Sequence, residues 1–242
     1  PKYRAAMVTS RRVTLASRPQ NQVALSDFGS DEVELPPLQD GEFLMNVEYL
    51  SIDPTIRGWM SYDTYLPKIG IGDVIRSAGA GEILESRNPY FPVGMRVFGM
   101  PGWQDHAVLN GAVPIPEGVT YEQALSVFGV TGLTAYVGLE DIGKPQPGET
   151  VVVSGAAGGV GSIAGQIAKI KGARVIGLAG SEQKCRWVVD ELGFDDCIDS
   201  RSEDIGRGLS RTCPDGIDVY FDNVGGETLN EVLARINDHA RI

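Results

Sequence analysis

The chain has 242 residues, a formal net charge of −11, 42% apolar and 22% charged residues. Such proportions belong to an ordinary globular protein long enough for two cores, and the acidic balance argues against nucleic acid and anionic membrane as partners while leaving a locally held phosphate ligand open. No apolar run approaches the roughly 18 residues of a membrane helix, the N-terminus shows no apolar secretion segment, and three cysteines at 185, 197 and 213, odd in number and without metal-type spacing, suit a reducing cytoplasm.

Residues 1 to about 122 read as β-rich. Strand candidates are Arg11–Ala16, Glu42–Tyr49, Gly79–Leu84, Met95–Phe98 and His106–Leu109. In the second of these, Phe43, Met45, Val47 and Tyr49 alternate onto one face. Gly and Pro clusters at Pro36-Pro37, Asn88-Pro89, Pro101-Gly102 and Pro114 to Gly118 separate the strands, a pattern of barrel or sandwich-like units. The loop Ser61-Tyr-Asp-Thr-Tyr-Leu-Pro67 presents Tyr65. Trp103 reads as a packed turn aromatic and His106 as a hydrogen-bonded structural histidine. With His239 the only other histidine, neither a His-rich metal site nor a Ser-His-Asp triad has material to form from.

Residues 121 to 142 turn helical, and Lys144-Pro-Gln-Pro-Gly148 leads into the stretch that organises the rest. Val151, Val152 and Val153 form a β-branched run suited to a strand buried on both faces. Glycines at 155, 158, 159 and 161 turn the chain, and an apolar helix pattern with Ile163, Ile167 and Ile170 opens behind them. Strand, glycine turn and helix in succession are the setting of a dinucleotide-binding turn, although Ala156 stands where a first glycine is usual. Glycines let backbone approach a pyrophosphate, and the new helix offers free N–H groups to its charge. A second strand within Lys171–Gly180 completes a βαβ unit of about thirty residues. No acidic residue occurs from Gly172 through Ser181, where an NAD site would bind the ribose 2′-OH; Lys184 follows instead, which suits the 2′-phosphate of NADP.

The alternation continues with a helix over Cys185–Leu192 ended at Gly193, a strand at Asp196–Asp199, a helix at Glu203–Thr212 and a fourth strand at Gly216–Asp222. Then come Asn223-Val-Gly-Gly226, a helix over Glu227–Ile236, and the opening of a fifth strand at Ala240–Ile242. Asn223 ends a strand at the carboxyl edge of the sheet, where ligands bind in such folds. The cysteines read as packing residues. Because a doubly wound dinucleotide fold has six strands, this sequence stops inside its sheet.

Several segments together carry a family resemblance. They are Tyr49-Leu-Ser-Ile-Asp-Pro54 with Arg57-Gly58, Gly102-Trp-Gln104, Gly132-Leu-Thr-Ala-Tyr-Val-Gly-Leu139, Gly155–Gly161, Gly177–Ser181 with Lys184, and Tyr220–Gly226. In this order and spacing the chain resembles the zinc-independent medium-chain dehydrogenase/reductases, in the NADPH-dependent double-bond reductase branch of prostaglandin reductases and bacterial curcumin reductase. The resemblance implies an α/β chain with a GroES-like β-rich catalytic domain at 1–122. A Rossmann doubly wound parallel sheet follows at 123–242, incomplete near its fifth strand, with the active site between the two. It implies reduction of the C=C bond of α,β-unsaturated ketones or aldehydes by hydride transfer from NADPH to the β-carbon, and a homodimer at full length.

By the same resemblance Gly158, Gly159 and Val160 match the pyrophosphate loop, and Gly180, Lys184 and Arg201 the 2′-phosphate site. Thr134 and Asn223 match the nicotinamide side. Tyr49 and Tyr65 match tyrosines of the substrate cleft, Tyr49 being the candidate catalytic group. Zinc-dependent relatives carry Cys near Ser51 and Gly-His-Glu where this chain has Gly79-Ala80-Gly81-Glu82, so no zinc is expected. Thr55, Thr131 and Ser200 replace residues usual in the family. A quinone oxidoreductase on the same scaffold, or an NADPH-binding protein without turnover, are the alternative readings.

Overall fold

The structure is a computed structural model that describes residues 8–242; the opening of the N-terminal segment read for a secretion signal lies outside them. The chain divides into two compact units, one ending at Leu125 and the other beginning at Ser126.

In the first unit, β1 (Thr9–Leu15) and β2 (Phe28–Glu34) form an antiparallel ribbon in which Leu15 faces Phe28. A five-stranded antiparallel sheet is built from β3 (Phe43–Leu50), β4 (Gly79–Ser86), β5 (Arg96–Gly99), β6 (His106–Leu109) and β7 (Val113–Pro114), ordered β6-β3-β4-β5-β7. Phe43, Met45, Ile83 and Val97 pack its core, while Leu15, Ile56, Trp59, Met60, Ile69 and Ile75 form a second cluster. The expected alternation along β3 holds only in part. Phe43 and Met45 are buried, but register shifts against β4 between Leu44 and Met45 and between Val47 and Tyr49 leave Tyr49 exposed. Each bulge inserts a residue and re-aims the side chains beyond it. Gly81 is required at this pairing, because a Cβ there would fall on the Asn46 carbonyl oxygen. Short helices α1 (Pro54–Trp59), opened by proline at its first turn, and α2 (Tyr121–Leu125) complete the unit.

The second unit is a parallel sheet sandwiched by helices. Its strands are β8 (Thr150–Ser154), β9 (Arg174–Ala179), β10 (Asp196–Asp199), β11 (Ile217–Phe221) and β12 (Ile236–Arg241), ordered β10-β9-β8-β11-β12. All five residues of the central β8 are buried. Val151 and Val153 face one core with Ala164, Ala168, Val188 and Phe194, and Val152 faces the other with Ile176, Ile198, Leu209 and Tyr220. Burying each such aliphatic side chain contributes roughly 1.5–3 kcal/mol, so the continuous valine run holds the two layers together. The helices are α3 (Val130–Val137), α4 (Gly159–Ile170), α5 (Glu182–Asp190), α6 (Ile205–Thr212) and α7 (Gly226–Leu233).

Several boundaries differ from expectation: the helix expected over Cys185–Leu192 runs Glu182–Asp190, and the one expected from Glu203 begins at Ile205. The helical stretch read over 121–142 is broken between Leu125 and Val130 and ends in a π-helical turn at Gly138–Gly143, closed by Lys144 at φ 40°. The last helix ends at Leu233, and the strand expected from Ala240 begins at Ile236. Polar side chains hold that strand: the Asn237 amide donates to Asp218 Oδ1 at 2.7 Å, and Arg241 is paired with Glu149. Among the described residues, no helix is long and apolar enough to cross a membrane.

Candidate functional site

The glycine turn between β8 and α4 is built by backbone. Gly155 lies at φ 58°, in the left-handed region, and Gly158 caps α4 in extended conformation without a side-chain cap. The first N–H groups of this 12-residue helix are therefore left for a ligand. Gly161 has no room for a side chain, since a Cβ would meet the Gly155 carbonyl oxygen. Ala156, the departure from the glycine pattern, is fully buried, with its methyl against Gly177 of β9. It therefore packs the turn against β9.

A second loop closes on this turn. Asn223, just beyond β11, donates from its backbone N–H to Ser154 Oγ and from its side chain to the Ser154 carbonyl, both at 2.8 Å. Asp222 Oδ1 accepts from the Tyr220 hydroxyl at 2.8 Å, the Gly225 N–H at 2.8 Å and the Val224 N–H at 3.0 Å. Burial works to raise this carboxyl, but the Gly225 and Val224 N–H groups, with Tyr220 and Ser154, hold it below the ordinary carboxylate value. The same burial, with Asp222 nearby, pushes the Tyr220 hydroxyl up. Neither Asp222 nor Tyr220 was singled out from the sequence. The available signal was an Asp followed by glycines just past a strand, which marks an Asx-type loop. Thr134, on α3, bonds back to the Val130 carbonyl at 2.7 Å. It lines, together with Gly138, Phe221, Asp222 and Asn223, an open groove of about 540 Å³.

The corner after β9 is built by side chains. Ser181 caps α5 by accepting from the Lys184 N–H at 3.3 Å, which places exposed Lys184 in the first turn of that helix. Opposite, Arg201 lies over Gly180: a Cβ on Gly180 would sit 3.2 Å from Arg201 Nε. Asp199, the one acidic side chain at the end of β10, is turned into its own loop. It accepts from the Ser202 hydroxyl at 2.8 Å and the Arg201 N–H at 3.1 Å, and these bonds hold its carboxyl below the usual range. Ser200 donates to the Ala179 carbonyl at 3.1 Å. The corner thus presents Lys184 and Arg201, with the Asp199 carboxylate occupied by its own loop.

In the first unit, Tyr49 is 40% exposed and packs against Tyr121 with ring centroids 5.5 Å apart. Its hydroxyl is bonded to Glu122, whose carboxylate raises the phenol above its ordinary value and keeps it protonated. Tyr65 is 79% exposed and meets Trp59 edge-on at 6.4 Å. The two tyrosines thus belong to separate aromatic pairs. Tyr121 and Glu122, partners of Tyr49, open a helix and gave no sign of this role in the sequence. Trp103 packs on Phe28 as expected. His106 differs from expectation: its backbone bonds Ser10, but its buried Nδ1 has no partner in the structure.

The donors for a catalytic zinc can be read directly. Ser51 carries a hydroxyl committed to Asp53 Oδ2 at 2.7 Å, and Ala80 is a fully buried methyl. Among the described residues, no three His, Cys, Asp or Glu side chains converge as a metal site. The residues present do not fit a zinc ion. They do fit a dinucleotide phosphate, for which the uncapped turn leaves N–H donors and Lys184 and Arg201 supply positive charge.

A family model described as the N-terminal domain of oxidoreductase matches residues 11–115, and one described as zinc-binding dehydrogenase matches residues 159–242. The chain is 41% identical to the NADPH-dependent curcumin reductase of Escherichia coli K12, covering 96% of this chain and 69% of that protein. To prostaglandin reductase 1 of Bos taurus it is 39% identical, covering 98% and 72%. The crystal structure of CurA from Vibrio vulnificus in complex with NADPH superposes with a TM-score of 0.91 at 41% identity, over 95% of this chain and 69% of that one.

Proposed function

The chain belongs to the medium-chain dehydrogenase/reductase family, in its NADPH-dependent double-bond reductase branch, and from that premise we propose that it reduces the C=C bond of α,β-unsaturated ketones and aldehydes. The observation that carries this reading is the 41% identity to an NADPH-dependent curcumin reductase over 96% of the chain. In this reading, residues 1–122 are the GroES-like catalytic domain and 123–242 the NADP-binding Rossmann domain. The protein works in the cytoplasm as a homodimer, without zinc, nucleic acid or membrane.

When bound, NADPH supplies the hydride that the β-carbon receives; the protein has to hold, orient and protonate. Backbone N–H groups at Gly158, Gly159 and Val160 hold the pyrophosphate, aided by the positive end of α4. At the Gly180 corner, Lys184 and Arg201 would hold and neutralise the 2′-phosphate. Thr134 and Asn223 flank the nicotinamide side; the Asn223 amide is already fixed by Ser154, so it orients without first losing side-chain freedom. On the substrate side Tyr65 offers an exposed ring. Tyr49, whose phenol Glu122 keeps protonated, would line the substrate cleft as well.

Purified protein given NADPH with a panel of enones, 2-alkenals and quinones tests this. Consumption of NADPH with a product heavier by two hydrogens and lacking the conjugated C=C bond is expected for the enones and alkenals. Consumption with quinones alone would sink the reading.

A further inference from the structure

The three thiols are not alike. Cys213 is buried beside Thr212, whose Oγ1 lies 3.6 Å from its sulfur. Cys185 and Cys197 lie 12 residues apart in the chain, on α5 and β10, and their sulfurs are 2.7 Å apart with both thiols free. That separation is inside van der Waals contact and exceeds the roughly 2.05 Å of a disulfide bond by only a fraction of an ångström. A small side-chain rotation closes it, with both backbones already anchored in regular elements. Cys185 immediately follows Lys184, while Cys197 stands two residues before Asp199, which anchors the Arg201 loop.

We propose that Cys185 and Cys197 are a disulfide-forming pair, and that the bond ties the Lys184 side of the β9–α5 corner to the Arg201 side of the β10 loop. The bond needs no functional premise; its effect on NADPH rests on the reading above. Cys197 donates its S–H toward Cys185, so Cys185 is the sulfur favoured as thiolate. With hydrogen peroxide as oxidant, the Cys185 thiolate attacks one peroxide oxygen, giving a sulfenic acid and hydroxide, which takes up a proton to become water. The Cys197 sulfur then attacks the sulfenic sulfur, its proton passes to the departing hydroxyl, and a second water leaves. Two thiols are oxidised by two electrons and one peroxide is reduced to two waters; a thiol reductant reverses the net change. Burial raises both thiols, and the reaction therefore quickens with rising pH. Once tied, the two halves of the corner lose less freedom when the phosphate binds.

The test uses the folded protein, treated with hydrogen peroxide or a thiol reductant. Intact mass should fall by two hydrogens on oxidation, and peptide mapping should join Cys185 to Cys197. Cys197→Ser should abolish the mass change, whereas Cys213→Ser should leave it intact. Sulfinic or sulfonic acid on either sulfur without a cross-link, or recovery of both thiols free after exhaustive oxidation, would overturn the pair. NADPH affinity, measured by calorimetry on both forms, should tighten several-fold on oxidation in the parent and not in treated Cys197→Ser. An unchanged or weakened affinity in the cross-linked protein overturns the coupling. Failure of the fully reduced protein to bind NADPH would instead count against the functional reading and leave the bond standing.

Discussion

The turn after β8 and the corner after β9 lie at the ends of neighbouring strands, yet they are made of different material. The turn is backbone: glycines, one of them at positive φ, and a helix end without a side-chain cap. The corner is side chain: a serine cap, a lysine in the first helical turn and an arginine laid over a glycine. A backbone site has no spare geometry, because each glycine is also a packing contact. A side-chain site keeps its scaffold when its charges are changed. The first is therefore a matter of fit and the second a matter of preference among ligands.

Substitutions can break that contrast or sharpen it. The largest effect is expected for Gly161→Ala, which sets a methyl group against the Gly155 carbonyl oxygen. Thermal melting should show a loss of about 3 kcal/mol, as in overpacked interiors, and NADPH binding should disappear with it. Lys184→Ala with Arg201→Ala should do the reverse. The melting temperature should hold while NADPH affinity falls by about 2–3 kcal/mol, roughly 30- to 150-fold, with NADH affinity unaffected.

Asp222→Ala lies between these cases, because it removes a side chain that organises backbone. Leaving the Tyr220 hydroxyl and the Gly225 and Val224 N–H groups unpaired should cost about 2 kcal/mol at pH 7. The carboxyl is lowered in the folded state, so its stabilisation is present in full above the ordinary carboxylate value of about 3.9 and is lost as pH falls through its lower folded value. Denaturant melts of the two proteins should accordingly converge on acidification below that point. The smallest effect is expected for Ser181→Ala, which removes the cap of α5 and should cost about 1 kcal/mol in the same melts, with a modest loss of NADPH affinity as Lys184 is released.

The same contrast explains what could be read from the chain. The backbone-built turn was legible because its signals are local: three valines, closely spaced glycines and a helix pattern follow one another. Strands β9, β10 and β11 were legible for the same reason. The ribbon strand β2 was not, since Phe28-Gly-Ser-Asp-Glu-Val-Glu34 is charged and owes its pairing to β1. Nor was β12, where the polar Ile236–Arg241 run carries His239 at φ 64° and is held by Asp218, Gly143 and Glu149 far away in sequence. At the site, the glycine turn could be read from local spacing, and Lys184 from its charge behind a strand end without an acid. The Ser154, Asp222 and Tyr220 network, the Glu122 bond to Tyr49 and the meeting of Cys185 with Cys197 could not. Each joins residues that only the folded sheet brings together.

The bond from Asn223 to Ser154 spans 69 residues of chain. It fastens the tail of one strand to the mouth of the glycine turn, so parting β11 from β8 also dismantles the seat of the dinucleotide. By linkage, a ligand that occupies only the fastened form stabilises it, contributing about 2.7 kcal/mol at a hundredfold excess over its dissociation constant. NADPH is in this sense a rivet in the sheet as well as a reagent. A cell running short of dinucleotide would lose that part of this protein's stability along with its turnover.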